Sequence, residues 1–167
     1  MTGGGRTRDT GGRHIVGADE FTVIDTAHKV VTSRFRIGNE YPEVSRGGFA
    51  VITGRLYVPI PIGGEFDWTG GKVDVIDPST DTGPYPPVAF DGGGDSAIDP
   101  ARQSLYITNF SGGTASEINL ETMELVRTHR VGDAPRSPVV DPGTHNVYTS
   151  DGLSRSISVS EPETSWR

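Results

Sequence analysis

The chain contains no cysteine, which excludes disulfides and thiolate chemistry and leaves stability to the packed core. It has no run approaching the roughly 20 apolar residues that span a bilayer. The first twenty residues, rich in Gly, Arg and Thr, lack the apolar stretch of a signal peptide, so the chain reads as soluble and without an export signal. Positive charge is scarce where negative charge is dense. Between residues 65 and 100 Lys72 stands alone against eight acids, and this window accounts for the net charge of −7. That balance disfavours nucleic acid or anionic lipid as a partner. No Gly-x-Ser-x-Gly elbow occurs, and His14, His28, His129 and His145 have no metal-binding spacing among them. These histidines read as solvent-exposed side chains without partners.

What is abundant is glycine and proline, 23 and 12 of 167 residues. Strongly β-prone runs such as Arg55-Leu-Tyr-Val58 and Ser104-Leu-Tyr-Ile-Thr108 recur between them, which points to many turns and not to disorder. The runs repeat. Val73-Asp-Val-Ile-Asp77, Ala115-Ser-Glu-Ile-Asn119 and Ile157-Ser-Val-Ser-Glu161 end 42 residues apart twice over, and Phe21-Thr-Val-Ile-Asp25 ends 52 residues before Asp77. Tyr106 and Tyr148 are also 42 apart, as are Asp99-Pro100 and Asp141-Pro142, while Tyr57 precedes Tyr106 by 49. The distance from Tyr57 to Asp77 is seven residues longer than in later copies, which places an inserted loop at Pro59 to Gly71. Three further residues lie between Asp25 and Tyr57.

In the clearest copy the strands fall near 95–99, 104–108, 114–119 and 124–131, with turn residues in every gap. Applied along the chain, this predicts about 14 strands: 13–17, 20–25 and 30–36, then two complete four-stranded units, then a unit ending after its third strand near Glu161. Four short antiparallel strands at such a period suit a propeller blade, and a sandwich would not require the same tyrosine and acidic strand end to recur. The expected fold is therefore all-β, a β-propeller of four-stranded antiparallel blades forming an incomplete ring, over residues 12–167 behind a flexible Gly/Arg-rich tail at 1–11.

Tyr106-Ile-Thr-Asn109 followed by Ser116-Glu-Ile-Asn119, and Leu56-Tyr-Val58 followed by Val73-Asp-Val-Ile-Asp77, resemble the motifs of the YVTN-repeat propeller family over roughly residues 12 to 165. The resemblance implies a non-enzymatic binding or scaffold role at the cell envelope. Related propellers also accompany quinone-linked dehydrogenases. Closed rings of the family usually have about seven blades, so about three and a half blades here imply either a homo-oligomer or blades supplied from elsewhere. A propeller enzyme, a dehydrogenase-associated subunit and an inactive truncated fragment are the alternatives.

Candidate ligand-binding residues are Glu65, Phe66, Asp67 and Trp68, because recognition is placed on loops held by a rigid scaffold. The ligand is a protein or a small molecule. Asp77, Asp81, Asp91 and Asp95 lie in Asp- and Gly-rich stretches that resemble calcium loops, although the bidentate Glu of an EF-hand is absent. Turn formation explains them as well, so no cofactor is the favoured reading and calcium the lesser one. Arg46, Arg55, Arg102 and Arg136 are candidates for a channel mouth.

Overall fold

The computed structural model describes residues 7–8, 14–15, 19–37, 50–52, 54–64, 67–76, 88–90 and 92–161. Every regular element among them is a strand, and all pairings are antiparallel. The chain divides into two compact units, Met1–Val44 and Ser45–Arg167.

The first unit holds a short ladder, β1 (Thr7–Arg8) with β2 (His14–Ile15), and a hairpin, β3 (Asp19–Asp25) with β4 (Val30–Ile37). The second unit holds three sheets. The first sheet is β5 (Ala50–Ile52), β6 (Arg55–Gly64), β7 (Asp67–Ile76) and β8 (Val88–Phe90). The middle sheet is β9 (Ser96–Asp99), β10 (Ser104–Asn109), β11 (Thr114–Asn119) and β12 (Glu124–Arg130). The last is β13 (Pro135–Val140), β14 (Val147–Asp151) and β15 (Ser156–Ser160). Each is a meander in which chain neighbours are sheet neighbours, and no barrel closes among the described residues. The all-β class and the strand positions of the middle sheet agree with the sequence reading, the latter to within one residue at each end.

The meanders follow from one turn rule. Asp25, Asp99, Asn109, Asn119 and Asp151 each end a strand and Asp141 directly follows one, and the residue four places on (Lys29, Gln103, Gly113, Met123, His145, Arg155) is left-handed, with φ between 51° and 63°. In four of the six turns the Asp or Asn Oδ1 caps the loop. It accepts from the amides of Ala27 and His28, of Ala101 and Arg102, of Glu121 and Thr122, or of Gly143. A left-handed non-glycine residue costs about 1–2 kcal/mol, and the caps offset part of that cost by satisfying amides the strands cannot. Glycine is therefore not required at the fourth position.

The core lies between the first two sheets of the larger unit. Tyr57, Val73, Val75 and Phe90 meet Leu105, Ile107, Ile118 and Leu120, with Ile98 and Met123 at its margin. Because strand side chains alternate, Tyr57 shares a face with Val75 opposite it, and Leu105 with Ile118 opposite it. One face of the first sheet thus buries against the other face of the next.

Candidate functional site

The densest cluster of chemically capable groups lies where the middle sheet meets the last. Glu117 on β11 is the hub. Its Oε1 accepts from the Tyr106 hydroxyl at 3.1 Å and from Ser104 Oγ at 3.2 Å, and its Oε2 lies 3.0 Å from His129 Nε2. His129 Nδ1 lies 2.6 Å from Ser160 Oγ on β15, in the neighbouring sheet. A carboxylate can only accept, so Nε2 carries the proton and, in the neutral ring, Nδ1 accepts from Ser160. The imidazole also tilts against the Tyr106 ring, 6.2 Å between centroids.

Antiparallel register brings these groups together. Tyr106 lies opposite Glu117, Ala115 opposite His129, and Ser104 opposite Asn119, so the cluster shares one face of the middle sheet. His129 and Glu117 are both nearly enclosed. The hydrogen bond from His129, with those of Tyr106 and Ser104, holds the Glu117 carboxyl below the usual glutamate range against an opposing burial effect. Burial, and next the adjacent Glu117 charge, push the Tyr106 phenol well above the ordinary tyrosine value.

Further polar bonds join the same two sheets. The Asp99 carboxylate caps its own turn and binds His145 Nδ1 at 2.7 Å. Asp95 Oδ2 accepts from the Ser137 amide at 2.8 Å, the Gly132 amide donates to Ser158 Oγ, and the Arg136 guanidinium sits 4.5 Å from the centre of the Phe110 ring. Within the last sheet the Asp151 carboxylate gathers Thr149, Ser156 and Ser158 hydroxyls. Asn109, the equivalent residue 42 positions earlier, donates to Thr114 and Ser116.

Chemically, Ser160, His129 and Glu117 form a hydroxyl–imidazole–carboxylate series. Ser160 sits in a regular ladder opposite Val147, and both ring nitrogens of His129 are engaged. What the arrangement does within this chain is bind two sheets through a half-buried chain of donors and acceptors.

The sequence-based candidates fall elsewhere. Glu65 and Phe66 lie outside the described residues, while Asp67 and Trp68 begin β7, in register with Gly64 and Gly63. The extra residues at Pro59 to Gly71 are not a loop, as expected, but lengthen the β6–β7 hairpin to two ten-residue strands, with a bulge at Ile62/Gly63. The β-prone Val58, Ile60 and Ile62 alternate along this hairpin with Pro59 and Pro61, which donate no ladder bond, and the extra length extends the ladder. Asp77, Asp81 and Asp91 lie outside the described residues. Asp95 is turned onto Ser137, and among the described residues no three His, Asp or Glu converge as a metal site. Arg46 also lies outside the described residues. The reading of the histidines needs correction: His28 is exposed beside Asp25, but His129 is buried and His145 is hydrogen-bonded to Asp99.

Sequence reasoning missed the Glu117–His129–Ser160 line although a signal existed. Glu117 stands where the earlier copy has Val75, and Ser160 stands 42 residues after Ile118. Two apolar positions that turn polar in step mark a buried polar contact. No protein-family model and no curated protein matches this chain.

Proposed function

We propose that the chain is a partial β-propeller of YVTN-repeat type acting as a non-enzymatic binding scaffold. The observation that carries this reading is the repeated stacking: successive antiparallel meanders turn the same face, at equivalent positions of the repeat, onto the opposite face of the next sheet. Such stacking around an axis is how blades build a propeller. We assign ligand recognition to the tip of the long β6–β7 hairpin, Glu65, Phe66, Asp67 and Trp68, where large apolar surface adjoins acidic groups. The ligand is a protein segment or small molecule. Titrating panels of peptides and small molecules against the fluorescence of Trp68, with Trp166→Phe as background, should find a quenching ligand, and isothermal titration calorimetry should show its binding lost in Trp68→Ala. A ligand that binds the Trp68→Ala variant equally well would remove the hairpin tip from the reading.

One observation favours a second reading, a serine hydrolase: the Ser160–His129–Glu117 series. Fluorophosphonate labelling separates the two. The scaffold reading expects no adduct on Ser160 by peptide mass spectrometry and no hydrolysis of 4-nitrophenyl acetate above background. An adduct on Ser160 that His129→Ala abolishes would replace the scaffold with an enzyme. For the calcium reading of Asp77, Asp81, Asp91 and Asp95, a rise in melting temperature on adding calcium after chelation is the required result.

A further inference from the structure

The faces of the three sheets follow a pattern that names a partner. In the first sheet Tyr57, Val73 and Val75 share a face, and it packs on the apolar Leu105, Ile107 and Ile118. In the middle sheet the equivalent residues are Tyr106, Ala115 and Glu117, and the face of the last sheet they meet is correspondingly more polar, Thr149 and Ser160 standing at the positions of Ile107 and Ile118 beside the buried Val147 at that of Leu105. The last sheet repeats the set once more as Tyr148, Ile157 and Val159, with Val159 opposite Tyr148 and Val139 on its other side. This set is apolar again, like the first. Ile157 is 71% exposed, Val139 60% and Val159 54%.

A face of this composition calls for a counterpart with an aliphatic residue at the position of Ile118. The chain carries one. Ile24 precedes Ile118 by 94 residues, follows the same bulge (Val23/Ile24 against Glu117/Ile118), and lies opposite Val31 as Ile118 lies opposite Leu125. Ile118 is fully buried, yet Ile24 is 58% exposed and Val31 48%.

We propose that the last sheet of one copy stacks on the β3–β4 hairpin of a second copy, Tyr148, Ile157 and Val159 seating Ile24 and Val31 as Tyr57, Val73 and Val75 seat Ile118. The occupant is this chain itself, because the two faces, exposed among the described residues, are complementary by the rule that its own sheets obey. The contact is heterologous, and the dimer proposed is the one in which two copies make it reciprocally. The inference rests on the blade-stacking reading of the repeat.

Sedimentation velocity on the wild type, Ile24→Glu, Val159→Glu and Leu153→Glu tests it. The wild type sediments as a dimer. Ile24→Glu and Val159→Glu each run as monomers, because a charge at the seam weakens association by more than about tenfold. Leu153→Glu, in the exposed turn between β14 and β15, remains dimeric. All three positions are already solvent-facing in the single chain, so thermal melts by circular dichroism stay cooperative. The decisive sample is an equimolar mixture of Ile24→Glu and Val159→Glu. Each variant keeps the face the other has lost, so the mixture regains a dimer with one intact seam. A monomeric wild type, a dimer that survives both substitutions, or a mixture that stays monomeric overturns the docking. A wild-type dimer that obeys this complementation but whose electron micrographs show no closed ring upholds the docking while overturning the propeller reading beneath it.

Discussion

The two seams of the larger unit use the same positions of the same repeat and hold together by different physics. Between the first and middle sheets Val75 joins Ile107 and Ile118 in one apolar cluster; between the middle and last the equivalent Glu117 reaches Ser160 through His129. The apolar seam gains from the area it removes from water and is indifferent to hydrogen-bond geometry. The polar seam gains little net energy per bond, but leaving any one of its groups unpartnered is costly. The first sort of contact tolerates sliding, whereas His129 reaching Ser160, with His145 reaching Asp99, fixes one register between two sheets. Near-neutral in net energy and demanding in geometry, the polar seam specifies where the apolar one stabilises.

The comparison is sharpest where it can be broken. Ile107→Ala, in the apolar seam, should cost about 2–5 kcal/mol in urea unfolding, since it removes a fully buried side chain and leaves a cavity. His129→Ala should cost less, about 1–3 kcal/mol, chiefly by stranding Glu117 and Ser160. The triple change Glu117→Val, His129→Leu, Ser160→Ile should recover part of that loss, because it removes the ionised hub together with both sheet-bridging partners and strands only the Tyr106 and Ser104 hydroxyls. A triple variant weaker than His129→Ala alone would mean that the polar seam stabilises the fold outright.

Acid should separate the seams next. The Glu117 carboxyl is held low by His129, so its ionised form contributes stability above the ordinary glutamate range, and that contribution is lost as pH falls through the lowered folded value. Glu117→Gln should flatten the acid limb of a stability-against-pH curve, while Ile107→Ala shifts the curve down without changing its shape. The smallest effect belongs to the turns. Arg155→Gly relieves the left-handed residue at φ 54° and should change stability by less than about 1 kcal/mol, since the gain is offset by the freedom glycine adds to the unfolded chain.

Much of the fold was legible before any coordinates. The 42-residue spacing placed the strands of the middle sheet because alternation and turn residues are local signals, and Asp99 or Asn119 can cap a turn wherever it stands. The Pro59 to Gly71 stretch misled because an insertion shows in a count, while its conformation depends on whether its two halves can pair. The candidate site was largely illegible. Glu117 and His129 are 12 residues apart and Ser160 another 31, distances that carry no chemistry until two ladders and a sheet-to-sheet contact bring them within hydrogen-bond reach.

Outside the Pro59 to Gly71 stretch, the sequence by itself determined which residues of the middle sheet become strands, where the chain turns and which positions are equivalent, because these rest on interactions within a few residues. The tertiary structure alone decided which equivalent positions face one another. Whether Val75 should be valine and Glu117 glutamate depends on the side chain arriving from the next sheet, and that partner is chosen by packing at a distance the sequence pattern does not encode.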